Sequence, residues 1–255
     1  MEYMVSAYSD IGIKKNSNQD SLLLQVADTD YGKVALAVVC DGMGGLSKGE
    51  LASATLINRF SEWFMQKFPK ILYEPFDEHR LRRSWERLLI DTNEEISKYS
   101  INNHLTMGTT VVALLLLRGK YFIINVGDSR AYLLTNKLQQ ITKDQTFVQK
   151  EIDIGRMTIE QGMSDPRKSV LLQCVGASTV IEPDFYTGEV TRNSLFLLCS
   201  DGFRHTIAPD EIYEVMLPEQ QHTEEQMLSN IKKLIELCKR RQEEDNISVI
   251  LVKVV

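Results

Sequence analysis

Along this chain, short runs of Val, Ile and Leu alternate with longer stretches in which apolar residues recur every three or four positions. Five of the short runs begin or end at an aspartate: SNQDSLLLQV at Asp20, ALAVVCDGMGG at Asp41, YFIINVGDSRA at Asp128, SLFLLCSDGF at Asp201 and EEDNISVILVKVV at Asp245. Each run has strand length and turn residues at its borders, which predicts a buried strand with its carboxylate just outside the sheet. A single aspartate of this kind is adequately explained as a turn residue. Five of them, three closing an apolar run and two opening one, are not. Like charges collected at one rim repel and are driven towards protonation unless cations neutralise them, so the pattern implies bound divalent metal.

The helical pattern appears in three places. A capping-box spacing of Ser47 and Glu50 predicts a helix carrying Leu51, Leu56, Phe60 and Phe64. A second helix is expected after Asp77, with Leu81, Trp85, Leu88, Leu89, Thr92, Ile96 and Tyr99 as a seam against a sheet. The third follows Thr223, which has Gln226 at capping-box spacing and Met227, Ile231, Leu234, Ile235 and Cys238 on the buried stripe. Between the second and third helices, GTTVVALLLLRGKYFIINVGDSRAYLL predicts three strands in a short antiparallel meander. Residues 144 to 163 read as one or two short helices, and the polar stretch from Ser164 to Val175 reads as a mobile flap near the site. Pure βαβ alternation is absent. Long helices that bury one stripe need sheet faces to cover, so the expectation is an α+β fold of stacked antiparallel sheets flanked by helices.

At 255 residues and 43% hydrophobic, the chain can bury a large core, and no linker, repeat or charge block divides it. A single domain over residues 1–255 is therefore expected. The net charge of −6, with Lys and Arg scattered except at Lys239, Arg240 and Arg241, argues against nucleic acid as a partner. Cys40, Cys174, Cys199 and Cys238 show no metal-ligand spacing; Cys40 and Cys199 lie inside apolar runs as small core residues, which suits a reducing cytoplasm. The first residues, MEYMVSAYSD, lack the basic and apolar regions of a signal peptide, and the apolar run from Leu105 to Leu117 is too short to span a bilayer. A soluble cytoplasmic protein is expected.

Oxygen ligands without His or Cys partners select Mg²⁺ or Mn²⁺ over Zn²⁺. Neither Cys40 nor Cys199 is followed by the Gly-rich basic loop of a nucleophilic cysteine, and there is no nucleophile elbow for Ser-His-Asp chemistry, so covalent routes are disfavoured.

SNQDS, VCDGMGG followed by GELAS, MGTTVV, VGDSRA, CSDGF and EDNISVI occur in this order. Together they resemble the metal-dependent protein phosphatase family of type 2C, in its bacterial form, from about Ser6 to Val252. The resemblance implies a four-layer αββα sandwich of two antiparallel sheets between helices, with two metal ions at one end and a flap at about 144–175. By position, Asp41 would bridge both ions, the Gly42 carbonyl would complete one shell, Asp201 and Asp245 would hold the other ion, and Asp20 would act directly or through water. Asp128 matches the family's ligand for a weaker third ion. Two ions about 3.5–4 Å apart make hydroxide available near neutral pH and orient a phosphate for in-line attack.

Three positions depart from the family pattern. Lys15 stands where an arginine usually clasps the substrate phosphate, offering a point charge in place of a bidentate fork; Lys14 could share the task, and a solvated loop is the alternative for both. Met43 occupies the position of a histidine in eukaryotic relatives and cannot donate a proton. His205 stands where many relatives carry a further acid for the third metal, and reads instead as an exposed residue at the start of a helix. The resemblance implies a protein serine/threonine phosphatase, a monomer acting on phosphoproteins and opposing a bacterial Ser/Thr kinase. A phosphatase-like regulator with little turnover and a hydrolase of small phosphoesters stay open as alternatives.

Overall fold

A computed structural model of the chain describes residues 1–43, 48–73 and 75–255. Two antiparallel sheets lie face to face. The first contains β1 (Tyr3–Asp10), β7 (Arg130–Leu134), β8 (Leu138–Gln140), β10 (Leu195–Cys199) and β11 (Ile247–Val254), in the order β1-β11-β10-β7-β8. The second contains β2 (Asp20–Thr29), β3 (Gly32–Met43), β5 (Val111–Leu117), β6 (Lys120–Val126) and β9 (Asp184–Glu189), in the order β2-β3-β5-β6-β9, with the two-residue β4 (Gly108–Thr109) paired to the end of β3.

Side-chain alternation explains the four layers. Along β3, Ala35, Ala37 and Val39 join Val112, Leu114, Phe196, Leu198, Ile250 and Val252 in a core between the sheets. Their neighbours Leu36, Val38 and Cys40 face the other way, into a core with Leu56, Phe60, Trp63, Trp85 and Leu89. Both faces are dry, which is why these strands read as continuous apolar runs. The helices covering the second sheet are α1 (Gly49–Glu62), extended by a π-helical turn at Trp63–Lys67 and α2 (Phe68–Tyr73), and α3 (Glu78–Asn102). The first sheet is covered by α7 (Pro209–Met216) and α8 (Glu224–Arg240), whose Met227, Ile231, Leu234, Ile235 and Cys238 pack with Leu197, Val249 and Leu251. Fully burying one such side chain is worth about 1.5–3 kcal/mol.

The two helix starts expected at Asp77 and Thr223 are present. Asp77 accepts from the His79 N–H at 2.9 Å, and Thr223 accepts from the Gln226 N–H at 3.2 Å. The Gln226 amide oxygen takes the His222 N–H and not that of Thr223, so only half of the expected box forms. Ser47 lies outside the described residues; α1 begins at Gly49 after Lys48 in a left-handed conformation, φ 98°. One seam position is corrected: Tyr99 is 41% exposed, while Asn93 and Ser100 are the buried residues on that side of α3. The seam drifts because 3.6 residues per turn does not match a strict three-four step over seven turns. Residues 144–163 hold α4 (Phe147–Asp153) and α5 (Ile159–Ser164), and the following stretch is tied back by bridges of Thr146 to Leu171 and of Thr109 to Val175. No helix among the described residues is long and apolar enough to cross a membrane.

Candidate metal centre

The aspartates reach one end of the sandwich from different elements. Asp20 opens β2 and pairs directly with Asp41 near the end of β3, so both lie inside the ladder and not beyond it as expected. The ladder extends that far because its partners are satisfied: Thr110 Oγ1 accepts the Asp41 N–H at 3.1 Å, and the Asp41 carbonyl accepts from Thr109 Oγ1 at 3.0 Å and from the Thr110 N–H at 2.9 Å. This is the structural use of the MGTTVV segment. Asp128 lies in the turn between β6 and β7, Asp201 is the first residue of α6 (Asp201–Arg204), and Asp245 lies two residues before β11.

Gly42 follows Asp41 where β3 meets α1. A Cβ there would stand 2.3 Å from the Gly49 carbonyl oxygen and 2.5 Å from that of Gln19, so only glycine permits this approach. Gly202 has the same relation to Asn246, whose carbonyl oxygen would be 2.3 Å from an added Cβ. These contacts bring the Asp20, Asp41, Asp201 and Asp245 backbones to one rim.

Their electrostatics are strained as a set of bare charges. The Asp41 carboxyl is driven well above the usual carboxylate range by burial, then by Asp20, Asp201, Asp128 and Asp245. Asp20 is pushed up to about 7 by burial, against hydroxyl bonds from Ser248 and Ser200 that favour its charge, with Asp201 and Asp245 adding to the rise. Ser200 Oγ donates to Asp20 Oδ2 at 2.8 Å. Asp128 is pushed up to about 7 by burial and Asp201, with Arg204 opposing. Asp201 Oδ1 is buried without a hydrogen-bond partner, while its Oδ2 lies 3.3 Å from His205 Nε2.

Lys15 reaches this rim. Its Nζ lies 2.8 Å from Asp245 Oδ1, and its side chain remains 40% exposed. Burial pulls the ammonium down, but the bond to Asp245 and the charges of Asp245, Asp41 and Asp201 outweigh it and leave the pKa raised. Lys14 instead turns to Glu244. Met43 ends β3 opposite Gly108. His205 is an exposed residue, as expected, but it ends α6 and does not start a helix, and its imidazole is 22% exposed between Asp201 and Glu243, with Nδ1 3.5 Å from Glu243 Oε2.

Several positioning residues were not singled out in the sequence. Asn246 accepts the Gln19 N–H at 2.9 Å and donates to the Ile11 and Ser17 carbonyls at 2.9 and 3.1 Å, fixing both ends of the loop that carries Lys15. Ser200, Arg204 and Asp144 are further examples. Asn246 and Ser200 sit beside aspartates already noted, and that adjacency was their one signal. The thiols offer no rival nucleophile: burial raises Cys40 well above its ordinary range and Cys199 to about 12.

The donor set suits hard cations. Among the described residues no group of three or more His, Cys, Asp or Glu side chains forms a ready-made metal cage. Mg²⁺ keeps several waters and is usually held by only one or two carboxylates, so a dedicated cage is not required. The orphaned Asp201 oxygen and the mutually repelling carboxyls are what a cation would relieve.

A profile of the family described as Protein phosphatase 2C matches residues 13–251. The chain belongs to the protein phosphatase 2C family, in its bacterial serine/threonine phosphatase branch. It is 30% identical over 225 residues to the serine/threonine phosphatase stp of Listeria monocytogenes, covering 86% of this chain and 84% of that protein. It is 31% identical over 253 residues to the serine/threonine protein phosphatase PstP of Mycobacterium tuberculosis, covering 98% of this chain but only 45% of that protein. Among solved structures, the S. agalactiae serine/threonine phosphatase superposes with a TM-score of 0.84 at 26% identity, over 100% of both chains. The catalytic domain of PstP in complex with two manganese ions gives 0.80 at 30% identity, over 99% and 98% of the two chains.

Proposed function

We propose that this chain is a single catalytic domain that hydrolyses phosphoserine and phosphothreonine on proteins, using two Mn²⁺ or Mg²⁺ ions. Asp41 and the Gly42 carbonyl would contact the ions on one side, and Asp201 and Asp245 on the other, with Asp20 acting directly or through water. When bound, such a pair supplies a nucleophilic hydroxide near neutral pH and Lewis-acid stabilisation of the phosphoryl oxygens. The observation that carries this reading is the buried, unpartnered Asp201 Oδ1 at a rim where Asp201 and three other aspartates, Asp20, Asp128 and Asp245, raise the Asp41 carboxyl. The PstP domain solved with two manganese ions supports it.

The protein's own groups have separate tasks. Thr109 and Thr110 hold the Asp41 backbone, and Ser200 orients the Asp20 carboxyl. Lys15, raised and half-exposed, binds a phosphate oxygen by exchanging its bond to Asp245 for one to the substrate. Next to Arg204 and His205, the segment 144–175 and α6–α7 line a cavity of about 530 Å³ that includes Ile152, Met163, Lys168 and Ile212, where residues flanking the phosphoamino acid can lie. We place the enzyme in the cytoplasm as a monomer, opposite a Ser/Thr protein kinase.

Phosphate release from a phosphothreonine peptide, in EDTA and with Mn²⁺ or Mg²⁺, tests this directly. Asp41→Asn is expected to cut metal-dependent kcat/KM by more than about 100-fold while the circular dichroism spectrum is retained, since even residues behind metal ligands cost 10–100-fold. Full activity in the folded variant would overturn the two-metal reading. Turnover of small phosphoesters without turnover of phosphopeptides would move the substrate class.

A further inference from the structure

The turn after β6, the base of the 144–175 segment and the end of α6 meet in a cluster of two guanidinium groups and two carboxylates. Arg204 donates from Nη2 to Asp128 Oδ2 at 2.9 Å and to the Asp128 carbonyl at 3.1 Å. The same nitrogen lies 3.5 Å from Asp144 Oδ2. Asp144 is also held by both prongs of Arg130, at 2.7 and 2.6 Å. The side chains are enclosed: Arg204 is 12% exposed, Asp128 6% and Asp144 9%.

We propose that Arg204 stands in for a third divalent ion in this chain: its guanidinium supplies the positive charge at Asp128, so that the turn after β6 is tied to α6 through Asp128, α6 is tied to the base of the flap through Asp144, and Asp128 takes no ion. This rests on the two-ion reading above, because it concerns what occupies the rim beside that pair. The formal charges of the cluster are matched in number, with Arg130 and Arg204 facing Asp128 and Asp144. A divalent ion bound to Asp128 would leave an enclosed guanidinium beside it, in a place where burial penalises any uncompensated charge. His205 adds to this, since it turns to Asp201 and Glu243 and offers no carboxylate. Arg204 is thus a positioning residue one helical turn after Asp201, and it holds that aspartate's helix to the flap.

Mn²⁺ binding followed by electron paramagnetic resonance, on the full chain and its variants, decides the matter. Asp128→Asn is expected to leave the number of bound ions unchanged. Arg204→Ser is expected to gain one weaker ion, which the double variant with Asp128→Asn then loses. An ion lost from Asp128→Asn alone, or no ion gained in a folded Arg204→Ser, would overturn the proposal. Should Arg204→Ser fail to fold, the comparison of Asp128→Asn with the unaltered protein still decides. The bound count of the unaltered protein, and its fall in Asp41→Asn, reports on the two-ion pair separately, so the two readings can fail independently.

Discussion

Lys15 shows what one side chain can and cannot contribute at this rim. An ammonium binds phosphate as a point charge, whereas a guanidinium offers two parallel donors. Lys15→Ala is expected to weaken phosphopeptide kcat/KM by about tenfold, the equivalent of one charge-assisted hydrogen bond. Lys15→Arg is expected to recover that loss, read as tighter inhibition by inorganic phosphate. Unchanged kinetics in Lys15→Ala would return the residue to a solvated loop. The position of Lys15 was legible in the sequence through its distance from Asp20. Its partner was not, because Asp245 is brought alongside only when β11 closes the first sheet.

At the scale of elements, the site depends on close backbone approach. The end of β3 and the start of α1 touch at Gly42 and Gly49, where the atoms that a methyl group would meet are backbone and cannot rotate away. Gly42→Ala is therefore expected to destabilise the fold by about 2 kcal/mol through overpacking, or roughly 5 °C in Tm for a chain of this size. A thermal melt within 1 °C of the unaltered protein would show that the contact relaxes freely. The long amphipathic helices were legible because 3.6-residue periodicity and capping residues are local signals, as Asp77 and Thr223 show. The short elements β8, β9 and α7 were not singled out. β9 is stabilised by a neighbour distant in sequence, β6, while β8, only three residues long and paired with the adjacent β7, is too short to leave a periodic pattern.

For the whole molecule, the gathered carboxyls are expected to make stability depend on pH and on added metal. Asp20 is raised to about 7 from an ordinary 3.8, and Asp41 is raised well above its ordinary range. Folding therefore favours their protonated forms: this contribution is fully present below about pH 4 and is lost as pH rises through about 7. In EDTA, Tm is expected to fall between about pH 5 and pH 8. Saturating Mn²⁺ should raise Tm most at the upper end, where the carboxylates are free to bind it. A metal-free Tm that is flat or rises over that interval, measured by scanning calorimetry, would contradict the raised carboxyls.

Strand runs, helix stripes, the order of the motifs and the aspartates at their ends are properties of neighbours along the chain, and sequence alone determined them. It also determined the family and the oxygen-rich chemistry, because six short motifs in order are far more specific than any one of them. Tertiary structure decided which charges meet. Arg204 against Asp128, Arg130 against Asp144, His205 between Asp201 and Glu243, and Asn246 across the Lys15 loop all join residues through folded geometry, several of them between segments far apart in the chain. Side-chain pairing depends on distances of a few ångströms that arise only after two sheets stack and their ends align, and no periodicity in the sequence encodes them.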